Sequence, residues 1–294
     1  MSKKKRAKKI KPKNSFRLDW KKFILGAIIA ILLIIFLIAI VTLPDPIVSL
    51  YFPPGADRKN SLGQVFEIDV KPASVSAKVP ILMYHYIEYN RDPKDIIRAS
   101  LTVNPYLFEK QLLELKTKNY ETIALDELFS KKVANPVILT FDDGYRDFYT
   151  DAWPILLKYR MKATIYVVSD FLDRENYLTT DMLKQIATQS SGLITIGAHT
   201  RRHVSLPLLS KDVAWEEIYG SKTGLETLLK IPVKHFSYPY GSYNQEVLDL
   251  VSRAGFATAT TTVPGTTHTG SEIFSLSRVR PGNYAGDKFL YHLR

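Results

Sequence analysis

No cysteine occurs among the 294 residues. Disulfides and thiolate metal sites are therefore excluded, and any bound metal must be held by His, Asp or Glu. Histidine itself is scarce, six in all, so each can be weighed singly. Excess charge is missing from most of the chain. The net charge is +11, but residues 1–22 hold eleven Lys and Arg against one acid, Asp19, which leaves +1 for everything after Lys22. The basicity is a tail and not a property of the folded body, which argues against a nucleic-acid-binding domain. A nucleic-acid arm is the weaker alternative for the tail alone.

Charge is absent altogether from FILGAIIAILLIIFLIAIVTL, the 21 residues Phe23 to Leu43. A helix needs about 20 such residues to cross a bilayer core. A secretory apolar segment is shorter, about 7–15 residues, and ends at a small-residue cleavage site, which this run lacks. The reading is one uncleaved N-terminal transmembrane helix (23–43), with a basic cytoplasmic tail (1–22) on the positive-inside rule. A buried core helix is the alternative. Residues 44–79 carry Pro44, Pro46, Pro53, Pro54 and Pro72 and read as an extracytoplasmic linker, with GQVFEIDV as a strand that could dock on the domain.

From Pro80 the texture changes. Short β-rich runs are predicted at 81–87, 137–141, 163–168, 193–198, 235–240, 256–261 and 276–280. Helical patterns are predicted at about 105–119, 149–160, 180–189, 210–229 and 244–254. Asn104 followed by Pro105 is a helix start. This alternation predicts an α/β domain (80–294) with a parallel sheet, open or closed into a barrel. Chemistry then collects where strands end.

Three motifs sit at such ends. VILTFDDGYRD places Asp142 and Asp143 after a buried-type strand, with Gly144 permitting a turn. ITIGAHTRRH puts His199 and His203 four apart, a spacing that lets both imidazoles reach one ion. Two His and one carboxylate form a common catalytic zinc set with room for water. FSYPYGSYN is rigid and then flexible, suited to fixing one backbone N–H or to making a tight turn. Tyr145, Tyr238, Tyr240 and Tyr243 would serve as sugar-stacking walls or as packing. Arg201 and Arg202 would be solvated or would meet an anionic polymer.

TFDDGY, HTRRH and YPYG, in that order, resemble the polysaccharide deacetylase family, the NodB-homology or carbohydrate esterase 4 group. PILMYHYI resembles its membrane-linked, biofilm-polymer branch. The resemblance covers about residues 80–285. It implies a distorted (β/α) barrel of about seven parallel strands and a metal-dependent hydrolase that removes N-acetyl groups from an N-acetylglucosamine-containing cell-surface polysaccharide. It implies Asp143, His199 and His203 as metal ligands, most simply for Zn2+, Asp142 as catalytic base, and the Tyr240 backbone N–H at the oxyanion. For the general acid His85 is chosen, with His268, read as a solvated loop residue, and His292 left open. Where the family often has an arginine to hold the base, this chain has Ser237; Arg278 and Arg280 share one face of the last strand and could supply the charge, and Arg278 is the expected substitute. The alternatives are an O-acetyl esterase or a catalytically silent glycan-binding module. The expected partners are the acetylated polysaccharide and the membrane, with the catalytic domain extracytoplasmic and no nucleic acid.

Overall fold

The computed structural model describes residues 75–90 and 94–293. The tail, the apolar run 23–43 and GQVFEIDV lie outside the described residues. Among the described residues no helix is long and apolar enough to cross a membrane.

Seven strands carry the fold: β1 Ile81–Tyr84, β2 Pro136–Phe141, β3 Ala163–Val167, β4 Ile194–Ala198, β5 His235–Ser237, β6 Thr258–Pro264 and β7 Leu276–Arg278. They stand side by side in chain order and all neighbours are parallel. A parallel bridge between Leu82 and Val279, with Met83 N–H donating to the Val279 carbonyl at 2.9 Å, joins β1 to the residues after β7. The result is a nearly closed seven-stranded barrel, as the resemblance implies.

Helices fill the first five crossovers: α1 Pro105–Thr117, α2 Trp153–Tyr159, α3 Thr180–Gln189, α4 Lys211–Leu229 and α5 Gln245–Arg253. Three start on a side-chain cap. Asn104, Thr179 and Asn244 accept from the N–H groups of Leu107, Met182 and Val247 at 2.9, 3.1 and 2.9 Å, satisfying donors that a helix start leaves open.

Strand parity divides the residues. On β2, Val137, Leu139 and Phe141 join the main core under the helices, while Ile138 joins Ile81, Tyr166 and Leu276 in a separate cluster. Successive side chains point to opposite faces of a sheet. The inward parity therefore continues from Ile138 through Thr140 to Asp142, from Ile81 to His85, and from Leu276 to Arg278. Gly197 has the same parity between Thr195 and His199. A Cβ there would lie 2.5 Å from the Tyr166 ring, so glycine is what admits that ring. Gly197→Ala is expected to cost about 1–3 kcal/mol by overpacking, read as a lower urea midpoint at unchanged slope.

Four differences from the sequence reading have local causes. The run 81–87 splits at His85, after which Tyr86–Ile87 leaves β2 and pairs with Thr102–Val103. The run 235–240 ends at Ser237, because Pro239 has no N–H to give a ladder and Tyr240 turns left-handed at φ 60°. A short helix, Ile96–Leu101, follows the first segment. Ser76–Lys78, inside the stretch read as linker, pairs antiparallel with Thr267–Thr269.

Candidate active site

The strand C-termini gather the chemistry at one end of the barrel. At the end of β2, Asp143 and Gly144 take left-handed φ values of 75° and 74°. For a non-glycine residue this costs about 1–2 kcal/mol. It also turns adjacent carboxylates apart: Asp142 points into the barrel, and Asp143 points across to the loop after β4.

Asp142 is 3% exposed. Arg278 holds it with two parallel bonds, Nη1 to Oδ1 at 2.7 Å and Nη2 to Oδ2 at 2.6 Å. The guanidinium is itself fixed by the Thr261 carbonyl at 2.8 Å and by the Thr140 and Ser237 hydroxyls at 3.1 and 3.0 Å. Burial alone would push the Asp142 carboxyl up. Against it, the charge and hydrogen bonds of Arg278, joined by His199 and His85, together hold the group below its ordinary range. Ser237 adds only a long 3.4 Å bond to Asp142, so the arginine on β7 supplies the charge that β5 lacks.

Asp143, His199 and His203 form a donor set, with one ligand atom from each lying within 4.8 Å of the others. Asp143 Oδ1 lies 3.3 Å from His199 Nε2 and 3.2 Å from His203 Nε2. His199 Nδ1 lies 2.6 Å from the Ser237 carbonyl, which can only accept, so Nδ1 carries the proton. The Nε2 lone pair of the neutral ring then faces a carboxylate oxygen that is buried without a hydrogen-bond donor. Lone pairs converging on one point call for a cation. An outer hydrogen bond that fixes the imidazole tautomer is the usual support for a metal ligand. The residues therefore fit a divalent ion.

His85 stands at the end of β1, half-buried. Burial lowers its pKa from the ordinary imidazole value; Asp142 and Asp143 oppose that, while Arg278 and Arg280 add to it. The other histidines lie elsewhere. His268 is buried, contrary to the solvated loop expected, because its strand is covered by Ser76–Lys78; its Nε2 bonds to the Val79 carbonyl at 2.9 Å, before β1 begins. His235 opens β5 at the opposite end of the barrel and bonds to Thr258. His292 pairs with the Tyr284 hydroxyl.

Tyr240 occupies the left-handed turn, its ring 4.8 Å from that of His203 and 66% exposed. Tyr238 is fully buried, and its hydroxyl bonds to the Phe274 carbonyl, so it is packing and not a sugar wall. Tyr145 stacks on Tyr86, centroids 3.9 Å apart, and is tilted against Tyr177 at 5.0 Å, so it is part of a row of rings and not an open wall by itself. Tyr243 stacks on Tyr238 and is 37% exposed. Arg201 and Arg202 pair with Asp170 and Glu217 while their side chains stay partly exposed.

Three residues escaped the sequence reading. Tyr86 and Tyr177 build the tyrosine row. Asp147, the last residue of VILTFDDGYRD, accepts from the Ile87 N–H just past His85, and its other oxygen is buried without a partner. Burial pushes its carboxyl up from 3.8 to about 7. Between about pH 4 and 7 the unfolded chain releases this proton while the folded chain keeps it, so stability falls as pH rises through that window. Asp147→Asn is expected to match the parent below pH 4 and to gain about 1–3 kcal/mol on it by pH 8, measured by urea denaturation at both pH values.

Comparison with known proteins agrees with the geometry. The family model for polysaccharide deacetylase matches residues 130–259. The Bacillus subtilis protein YxkH is 31% identical over 241 residues, covering 77% of this chain and 82% of its own. Streptococcus pyogenes deacetylase PplD, solved in complex with acetate, superposes with a TM-score of 0.67 at 31% identity, covering 74% of this chain and 99% of its own. Poly-β-1,6-N-acetyl-D-glucosamine N-deacetylase of Staphylococcus aureus is 26% identical over 187 residues, covering 58% of this chain and 64% of its own. With its barrel, its strand-end carboxylate pair and its Asp–His–His donor set, this chain is an enzyme of the polysaccharide deacetylase family.

Proposed function

We propose that this chain hydrolyses the N-acetyl groups of an N-acetylglucosamine-containing cell-surface polysaccharide, releasing acetate and leaving a free amine. One observation carries the reading: a carboxylate locked by Arg278 stands next to the Asp143–His199–His203 donor set. The likeness to the staphylococcal deacetylase makes a β-1,6-linked polymer the first substrate to try, and peptidoglycan the second.

Asp143, His199 and His203 would hold the divalent ion, most simply zinc for a two-imidazole, one-carboxylate set. When bound, such an ion polarises the acetyl carbonyl and makes water a competent nucleophile near neutral pH. Asp142 accepts the water proton; its Oδ1 spends one lone pair on Arg278 and keeps another, while Oδ2 takes both Arg278 and the long Ser237 bond. The Tyr240 backbone N–H, held in its turn by the Thr262 hydroxyl on the Tyr240 carbonyl, donates to the oxyanion. His85 gives its proton to the departing amine nitrogen, and its lowered pKa makes the imidazolium a stronger acid than a free one. His85→Ala is expected to keep metal affinity and to lose about 10²–10⁴ in kcat; near-parent turnover would remove His85 from the role. In the same proposal, 23–43 anchors the chain, the stretch before Ser76 spans outward, and the catalytic domain works outside the membrane.

The test is acetate release by the full-length chain with zinc. The substrates are β-1,6-linked N-acetylglucosamine oligomers, chitooligosaccharides, peptidoglycan and O-acetylated xylan. Release from an N-acetylated substrate is expected. Release from xylan alone would make the chain an O-acetyl esterase. Silence on all four with metal bound would make it a glycan-binding module.

A further inference from the structure

The two histidines of the donor set are held in different ways. His199 ends β4, and its ring is fixed by the Ser237 carbonyl. His203 lies four residues on, past a left-handed Thr200 (φ 61°), and is itself left-handed (φ 56°). Among the described residues no hydrogen bond fixes its ring outside the donor set. Apart from ring packing against Tyr240 and His199, the backbone of the loop sets where His203 presents its nitrogen.

That backbone is gripped from helix α4. Glu217, fully buried on the stripe Ala214, Ile218, Ser221 and Leu225, reaches the loop with both carboxylate oxygens. Oε2 accepts from the Arg201 and Arg202 N–H groups at 3.1 and 2.9 Å. Oε1 accepts from Arg202 Nε at 2.6 Å. One turn along, Gly220 makes room for the loop: a Cβ there would lie 2.8 Å from Arg201 Cδ. From the other side, the Ser169 and Asp170 N–H groups donate to the Thr200 and Arg201 carbonyls at 3.2 and 2.9 Å. Bonds to an ionised acceptor are stronger than neutral ones, and a carboxylate can take several N–H groups at once. A buried charge spent on two consecutive N–H groups between the ligands fixes the loop in its left-handed form.

We propose that Glu217 is the positioning residue of the metal centre, clamping the 200–203 backbone so that His203 completes the donor set with Asp143 and His199. This rests on the metal-centre reading above. Outer-shell partners of metal ligands are worth about 10–100-fold in affinity, and Glu217 acts on one ligand of three.

The test uses the full-length chain and metal alone. Zn2+ affinity is measured by competition with a chromophoric chelator, and the visible spectrum of the Co2+ form reports ligand geometry. Glu217→Gln keeps the shape but cannot accept at both ends. It is expected to bind Zn2+ about 10–100-fold more weakly and to shift the Co2+ spectrum. Glu226→Gln, nine residues on, breaks a comparable pair with Lys222 on the same helix and is expected to stay within about twofold of the parent. Parent affinity in Glu217→Gln, or equal weakening in both variants, would overturn the clamp. Should Glu217→Gln fail to fold, Glu217→Asp, with its charge drawn back by one methylene, is read in its place. Unfolding of both would also overturn the proposal, since the residue would then be a pillar of the barrel. Asp143→Ala sets the zero. A parent no better than that variant would sink the metal centre and the clamp with it, whereas a binding parent matched by Glu217→Gln would sink the clamp alone.

Discussion

Replacing Arg278 with methionine is expected to cost about 3–5 kcal/mol of folding stability and to lower kcat/KM by at least about 10²-fold. The guanidinium is as buried as the carboxylate it holds, so its loss leaves Asp142 charged, desolvated and unpaired. The Asp142 carboxyl then loses the influence that keeps it below its usual range, and burial, the larger influence, pushes it up. The acid limb of the kcat/KM profile should move to higher pH. In the parent, Asp142 contributes stability that is present above the unfolded pKa and is lost as pH falls through the lower folded one; the variant should lose that dependence. Arg278→Lys should not rescue, because an ammonium cannot make the two parallel bonds. The double variant Asp142→Asn with Arg278→Met removes both charges. It should recover most of the stability and none of the activity. Urea denaturation and acetate release read the two effects separately. A single Arg278→Met variant at parent stability would show that the pair does not hold the site together.

Removing the metal is the second large effect. A strong chelator is expected to abolish acetate release, because the water and the acetyl carbonyl both lose their activation. Zinc restored at 1,000 times its Kd should stabilise the folded chain by about 4 kcal/mol. That gain should vanish in Asp143→Ala, whose two imidazoles lose the carboxylate between them. Metal-dependent stabilisation that persists in Asp143→Ala would put the ion elsewhere.

The barrel was legible because each strand announces itself by a short apolar run, and the helix after Asn104 by its cap. Strand parity offered Arg278 and Arg280 together, on one face of the last strand; the structure turns that face inward at Arg278. What stayed hidden depends on partners far away in sequence. His268 in GTTHTG has the composition of a loop; only pairing with Ser76–Lys78 buries it. Tyr86 and Tyr177 meet through Tyr145, although no spacing links them. Glu217 had one sequence signal, a carboxylate on the helix stripe of Ala214, Ile218, Ser221 and Leu225. Its partners are backbone N–H groups, which carry no residue type to search for. The ends of β1 and β5 were misjudged because apolar character continues past the turns that His85 and Pro239–Tyr240 make.

The central claim is that Asp142 works as a base beside a metal held by Asp143, His199 and His203. Its most direct test is acetate release from one β-1,6-linked N-acetylglucosamine oligomer by three samples: the zinc-loaded parent, the chelated parent, and zinc-loaded Asp142→Asn. Release by the loaded parent alone, with the variant down by about 10²–10⁴, is the expected result. Release at the parent rate by either of the other two would contradict it.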